Sequence, residues 1–521
     1  MKFRIPGRRC LALAAALTAC TAWTGVASAA SAAPAAAAVS AAPAVTVAQG
    51  ARAALGAPGT SVASATPITP VAPVAPVASA TSGVPIVPVA SATSGVPIVP
   101  VVRAASAALV GPATPGAPAA TGVSVPTADV PPAPGPLTTA TRFYVDPDNA
   151  AARQAVVDAA AGDAAEAENM RRLAALPQAA WFTGGTPAQA RASASALLDR
   201  ARSAHQVPVL VAYDIPGRDC GLYSSGGAAS SAAYREWITA LAEGVGQGPA
   251  VVLLEPDGLA NLPKDCAGGI DPTGELTAAR LADLDFAVTT LKRSPGTAVY
   301  LDAGNSQWKA VGDIARRLID AGVRKADGFA LNVSNFQPTD QLTRYGTWVA
   351  KCVWFAAQGP DWARGHTDWC ASQYYSAAAP NDGAPGNAVS AADPSTWHWT
   401  DAWYDRSVGT PPAAELLHFV VDTSRNGRGP WTPAPGTYGD PETWCNPPGR
   451  GIGPRPTADT GVPLADAYLY VKTIGESDGS CTRGTTGTLD PEYGVVDPPA
   501  GAWWPRLAHE LARNAQPALT P

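Results

Sequence analysis

The stretch AVVLLEPDGLANL, Ala250 to Leu262, decides how the rest of the chain is read. Val251 to Leu254 is an unbroken apolar run with β-branched residues, the pattern of a strand buried on both faces of a parallel sheet. Pro256 has no backbone N–H to give to a ladder, so the strand stops there. Asp257 then stands just past the strand's C-terminal end, where solvent or a bound molecule can reach it.

The same design recurs along the chain. VPVLVAYDIPGRDC ends at Tyr213 and Asp214 with Asp219 beyond, and AVYLDAGNSQW ends at Asp302 with Asn305 and Trp308 following. GFALNVSNF ends in Asn332 and Asn335, LHFVVDTSRNGRG in Asp422, Arg425 and Asn426, and AYLYVKTIGESDG in Lys472, Glu476 and Asp478. QAAWFTGG places Trp181 in the same way. Between the first of these runs lie helical patterns: Thr186-Pro187 reads as an N-cap with proline at the first helical position, and SAAYREWITALAEGVG and KAVGDIARRLIDAG show helical apolar spacing. Strands alternating with helices predict an α/β fold with a parallel sheet. At least six strands with polar C-terminal ends predict a closed β/α barrel whose active site sits at that end. One Asp after a strand often caps the next helix; four or five on successive strands point to a site.

The chain has 521 residues and a net charge of −6 without a basic stripe, which argues against nucleic acid as a partner. Its first acidic residue is Asp129. Lys2 to Arg9 is basic, Cys10 to Ala19 is apolar and Val26 to Ala30 offers small residues, so residues 1–29 read as a secretory signal peptide. LTAC (Leu17 to Cys20) resembles a bacterial lipobox; membrane attachment is expected only in that alternative form, through a lipid on Cys20. Residues 30–138 are rich in Ala, Pro, Val and Ser and repeat VASATSGVPIVP at Val77 and Val89, the composition of an extended linker. Residues 139–521 are expected to form one secreted domain. Six cysteines remain after the signal, and an even count in an exported chain predicts disulfides. With five histidines and no CxxC or HExxH, neither a metal site nor a cofactor is expected.

Twelve of the fifteen tryptophans lie at or after Trp308. Trp354, Trp362, Trp369, Trp397, Trp399 and Trp403 crowd into Gln337 to Pro412, a segment too long for an ordinary connection and expected to be functional. Tryptophans beside carboxylates suit carbohydrate, whose flat C–H faces stack on indole while hydroxyls bond Asp, Asn and Arg. Packing of the segment onto the barrel is the competing reading for each of them.

In order, VAYDIPGRDCGLYSSGG, LLEPDGLANL, LDAGNSQW, VVDTSRNGRGP and GESDG resemble the conserved blocks of glycoside hydrolase family 6, inverting endoglucanases and cellobiohydrolases that cut β-1,4-glucan. The resemblance implies a distorted, partly open β/α barrel of about seven strands with long loops over its C-terminal face. It also implies roles: Asp257 as general acid, Asp219 as the carboxylate that keeps the acid's pKa high, and Asp478 as candidate base. Tyr213 would crowd the distorted sugar and Ser225 would hold water. Trp181, Trp308 and Trp444 would stack on the glucan, with Asn305, Asn332, Asn335, Lys472, Glu476 and Asp302 as further sugar-side positions. Glu255 is read as structural. Within the resemblance the cysteines fit the pairs Cys220–Cys266, Cys445–Cys481 and Cys352–Cys370. Asn305 stands where many members have His. Long segments at Gln337–Pro412, Trp431–Thr443 and Gly479–Ala500 favour a covered tunnel and release of cellobiose by a monomer, with endoglucanase action or glucan binding without catalysis as alternatives.

Overall fold

A computed structural model describes residues 137–374 and 388–520. The signal-peptide, lipobox and repeat readings fall outside the described residues. Among the described residues, no helix is long and apolar enough to cross a membrane.

Seven strands form one parallel sheet in sequence order: β1 (Ala180–Phe182), β2 (Val209–Ala212), β3 (Ala250–Leu254), β4 (Thr297–Asp302), β5 (Gly328–Leu331), β6 (His418–Asp422) and β7 (Ala465–Leu469). The unbroken apolar runs follow from burial on both faces. Val251 and Leu253 point into the sheet's concave interior with Val209, Val211, Ala298, Tyr300 and Val420. Val252 and Leu254 point outward into a larger core shared with the helices, beside Leu210, Val299, Leu301 and Phe329. Each strand therefore carries two apolar faces, and alternation disappears from the sequence.

The crossovers carry helices, as parallel pairing requires. These are α3 (Pro187–Ser203), α4 (Ser231–Val245), α5 (Glu275–Leu291), α6 (Val311–Asp320) and α7 (Thr339–Ala357), with α8 (His398–Ser407) before β6 and α9 (Pro505–Arg513) near the end; α1 (Ala150–Ala160) and α2 (Ala164–Ala174) precede β1. The expected start of α3 is present as a capping box between Thr186 and Gln189, with Pro187 in the first turn. Helices α1, α2 and α9 share a separate apolar cluster with Tyr470 and Ile474, just past β7.

The ladder runs from β1 to β7 without pairing those two strands, so the fully closed barrel expected from the strand pattern gives way to the partly open one. Across the seam the N–H of Ala179 donates to Tyr470 O (2.9 Å), and the indole N–H of Trp181 donates to Val471 O (2.8 Å).

The tryptophan-rich segment also departs from expectation. Trp348 and Trp397 are buried against each other with ring centroids 5.2 Å apart, and Trp348 Nε1 donates to Asp401 (2.7 Å). Trp354 Nε1 donates to Glu415, and Trp399 and Trp403 pack on the main core. Trp362 and Trp369 are exposed and near-parallel, with His366 stacked 3.7 Å from Trp369. None of these seven tryptophans lines the cavity that holds the strand-end carboxylates. For Trp348, Trp354, Trp397, Trp399 and Trp403, packing that fastens α7 and α8 to the barrel outweighs the sugar-stacking reading.

All three expected disulfides are present: Cys220–Cys266, Cys352–Cys370 and Cys445–Cys481. Cys352–Cys370 closes a loop with a separation of 18 residues, away from the cavity. Replacing both cysteines with alanine is expected to lower stability by about 3 kcal/mol. Urea denaturation of the double variant, with its midpoint set against the parent, measures this.

Candidate active site

The strand ends converge on a cavity of about 690 Å³, lined by Trp181, Tyr213, Arg218, Asp219, Tyr223, Ser225, Asp257, Asn305, Trp308, Asn335, Trp444, Lys472, Glu476 and Asp478, among others. Twelve of these come from the expected set, brought together from β1 to β7; Arg218 and Tyr223 were not anticipated. Two expected positions lie elsewhere. Asn332 is fully buried, and its amide is spent inside the protein: Nδ2 donates to Asp422 O (2.9 Å) and Oδ1 accepts from Gln337 N (3.0 Å). Asp302 lies beneath the cavity floor rather than in its lining. Both act on neighbouring backbone instead of on a ligand.

The turn after β3 explains the choice of residues there. Glu255 and Asp257 both have positive φ, +51° and +65°, a region that non-glycine residues enter at a cost and hold only where their surroundings impose it. The surroundings are specific. Glu255 is buried, and its carboxyl accepts the backbone N–H groups of Asp214 and Ile215 (3.0 Å each), tying β3 to the loop after β2. Burial pushes its pKa to about 7, against the pull of those N–H groups. Asp302 Oδ2 accepts the N–H of Asp257 and of Gly304, both at 3.0 Å.

Two helix arginines complete the frame. Arg280, on α5, donates to Gly258 O (3.1 Å) and to Pro216 O (2.7 Å), so one guanidinium holds the loops carrying Asp257 and Asp219. Arg317, on α6, donates to Leu259 O (2.8 Å) and pairs with Asp313 (2.8 Å). Sequence reasoning passed over both. The signal was there: Arg280 shares its helix face with Leu284, Ala287 and Leu291, and a charge in an apolar stripe needs a buried partner.

The loop after β2 adopts a tight turn at Asp219–Gly221, with φ of +57° at Asp219 and +49° at Cys220. Asp219 accepts the N–H of Ser224 (2.7 Å), and the Cys220–Cys266 bridge joins this loop to the one after β3. Arg218 lies over the Tyr213 ring at 4.5 Å, while Trp181 meets that ring edge-on at 5.5 Å.

Electrostatics divides the carboxyls into two kinds. Asp257 is raised well above the usual carboxylate range, first by burial of its carboxyl and then by the like charges of Asp302, Asp219 and Asp478. Asp219 had been expected to supply that repulsion; Asp302 supplies more of it. Asp302 is itself pushed up to about 7, chiefly by burial. Asp219 is raised by burial, offset by Ser224 N–H and Arg218.

Asp478 is the opposite case. Burial pushes it up, but the charges of Arg425 and Lys472, with hydrogen bonds from Arg425 and from Asn446 N–H, outweigh that and leave it below the usual range. Arg425 lies 2.7 Å from one carboxylate oxygen and Lys472 3.3 Å from the other. Asp422 carries this cluster, accepting N–H groups of Ser334 (3.0 Å), Ser424 (2.9 Å), Val471 (3.1 Å) and Lys472 (3.1 Å) and so fixing three strand ends at once. One cavity thus holds a carboxyl whose protonated form is favoured and a carboxylate whose charged form is favoured, the arrangement of paired acid and base chemistry. Behind it, Cys481, Asp490 and Asp497 bring three potential ligand atoms within 4.8 Å, but the sulfur is committed to the bridge with Cys445.

The family model for glycosyl hydrolases family 6 matches residues 138–515. Endoglucanase 1 of Streptomyces halstedii is 34% identical over 377 residues, covering 72% of this chain and 90% of that protein. Endoglucanase A of Cellulomonas fimi is also 34% identical, covering 72% of this chain and 61% of that protein. A probable 1,4-beta-D-glucan cellobiohydrolase C of Aspergillus fumigatus is 29% identical, covering 60% of this chain and 62% of its own. Among solved structures, the endoglucanase Cel6 of Mycobacterium tuberculosis, in complex with a methyl-cellobiosyl-4-deoxy-4-thio-β-D-cellobioside, aligns with a TM-score of 0.52 at 34% identity, covering 73% of this chain and 99% of that one.

The electrostatic division gives a signed expectation. Activity that needs Asp257 protonated is lost as pH rises through its pKa. Asp302→Asn removes the leading like charge while keeping an oxygen for the two N–H groups, so the alkaline limb of kcat/KM is expected to move to lower pH. A pH–rate profile of the variant against the parent reads the shift; an unmoved limb would remove Asp302 from the coupling.

Proposed function

The chain belongs to glycosyl hydrolase family 6 and is a glycoside hydrolase of the cellulase type, and from that premise we propose that it is an exported, monomeric, inverting enzyme that releases cellobiose from β-1,4-glucan. The observation that carries the catalytic part is the opposite pull on Asp257 and Asp478 within one cavity. Asp257 gives its proton to the departing glycosidic oxygen. Asp219, half-buried and joined to the acid's loop by a disulfide, steadies positive charge developing on the sugar. Water attacks from the opposite face and yields its proton toward Asp478. Ser225 and an intervening water relay that proton, and Asp478 is its final acceptor as the C–O bond to water forms and the glycosidic bond breaks. Tyr213, packed between Trp181 and Arg218, shapes the distorted ring's site. Trp181, Trp308 and Trp444 offer stacking faces, and Asn305, Asn335, Lys472 and Glu476 offer hydrogen-bonding groups to hydroxyls.

Preference for chain-end release rests on a contact between loops. Tyr223, after β2, donates its hydroxyl to Glu442 (2.8 Å) and packs 5.8 Å from Trp444. Glu442 also accepts the N–H of Thr482 (2.7 Å), from the loop after β7. A Cβ on Gly479 would come within 2.5 Å of Tyr223 Cβ, so these loops press together where only glycine fits. Through this contact the loops after β2, β6 and β7 meet beside Trp444 in the cavity lining. A second reading is endoglucanase action, favoured by the names of the relatives at 34% identity.

Hydrolysis of amorphous cellulose separates the two. Mostly soluble reducing ends with cellobiose dominant, first appearing as the α-anomer by NMR, are expected. A large insoluble share would favour the endoglucanase reading, and an initial β-anomer would end the inverting mechanism. Asp257→Ala is expected to lower kcat by about 10²–10⁴-fold. Tyr223→Phe, which frees the loops from Glu442, is expected to raise the insoluble share.

A further inference from the structure

A second cavity, of about 590 Å³, continues from the cleft and shares Gln307, Gln337 and Thr443 with it. It lies on the side of Trp308 and Trp444, reached from β4 to β6 rather than from β1. Its far wall is the segment PWTPAPG, Pro430 to Gly436, with Trp431 and Tyr438 6.1 Å apart. Three prolines in seven residues hold this wall with little chain entropy left to lose on binding. The Arg483 guanidinium lies over the Trp431 ring at 5.1 Å, and Arg483 is itself fully buried in an ion pair with Asp490 (2.6 Å). Trp431 is therefore backed by a fixed cation and remains only half-buried, part of the cavity lining.

The opposite wall supplies polar groups without internal partners. The side-chain amides of Gln337 and Gln341 line the cavity, half-buried, and make no hydrogen bond among the described residues, while Gln307 is anchored by its donation to Ala391 O (2.6 Å). A braced aromatic face opposite free amides, in a groove continuous with a sugar-sized cleft, has the chemistry of one more pyranose site. We infer that this cavity is a distal glucan subsite, in which Trp431 stacks on a glucosyl unit lying beyond Trp308 and Trp444 and Gln337 and Gln341 bond its hydroxyls. The inference rests on the glucanase reading above. It assigns the proline-rich segment a job: to make binding grow with chain length.

The test compares cellotetraose and cellohexaose. The gain in kcat/KM on passing from the shorter to the longer substrate is measured for the parent, Trp431→Ala, Trp431→Phe and Gln341→Ala. Trp431→Ala is expected to reduce that gain roughly tenfold, the scale of one lost aromatic contact, with Trp431→Phe restoring part of it and Gln341→Ala reducing it less. Equal losses on both substrates, reflecting disturbance through Arg483, would overturn the subsite, and so would an unaltered gain. Calorimetric titration of each protein with cellohexaose keeps the two readings apart. A parent that hydrolyses glucan while Trp431→Ala binds cellohexaose as tightly as the parent refutes the subsite alone. A parent that neither hydrolyses nor binds refutes the glucanase reading and the subsite with it.

Discussion

A carboxyl keeps a pKa raised by burial and like charges only if its backbone cannot carry it out toward water. Placing Asp257 against Asp302 and Asp219 raises its pKa, but the same repulsion pushes the loops apart. Here the repulsion is contained by atoms that bear no role in chemistry. Glu255 holds the loop after β2 by two N–H groups, Asp302 holds the acid's own N–H, and Arg280 grips carbonyls of both loops. Left-handed backbone at Glu255 and Asp257 is the visible trace of that containment. The carboxyls that make the site reactive are thus inseparable from the helix arginines that hold it together.

The other half of the cavity solves the reverse problem. Asp478 has to remain charged where water is scarce, and Arg425 and Lys472 supply the compensation that solvent would give elsewhere. A buried pair of this kind contributes little net stability, yet losing one partner costs about 3–5 kcal/mol because the other charge is left uncompensated. Asp422 makes the pair possible by gathering backbone from β5, β6 and β7. Asp257 and Asp478 therefore sit on separate structural frames, one held through α5 and α6 and the other through strand ends.

The strands and most of the cavity were legible because their signals are local. An apolar run that gives way to polar residues, as Val251 to Leu254 does at Glu255-Pro256-Asp257, says where a strand stops, and the ends of strands in one parallel sheet must face the same way. What was misread depended on partners distant in sequence. Asn332 looks like Asn335 in the same run, yet a positive φ of +69° turns it inward, where its amide replaces a strand-end hydrogen bond. Asp302 ends its strand where Asp257 stands just past its own, and the Asp302 oxygen accepts from the neighbouring turn. The tryptophans of the long segment failed for another reason: indole serves a sugar face and a helix interface equally well, and composition does not separate the two. Arg280 and Arg317 escaped notice because what they do shows only when the apolar stripes around them are counted.

The unpaired seam between β1 and β7 has a mechanical meaning. A closed ladder resists widening at every strand, whereas an open sheet bends like a leaf spring and concentrates compliance at its free edges. Among the described residues three hydrogen bonds span that gap, Ala179 to Tyr470, Trp181 to Val471 and Ile474 to the side chain of Gln178, and one of them belongs to a cavity-lining indole. The loops that meet through Tyr223 and Glu442 are rooted on either side of it. Those loops therefore meet above the one join the ladder leaves unpaired, while β2 to β4, with Asp219, Asp257 and Asp302, belong to its continuous part.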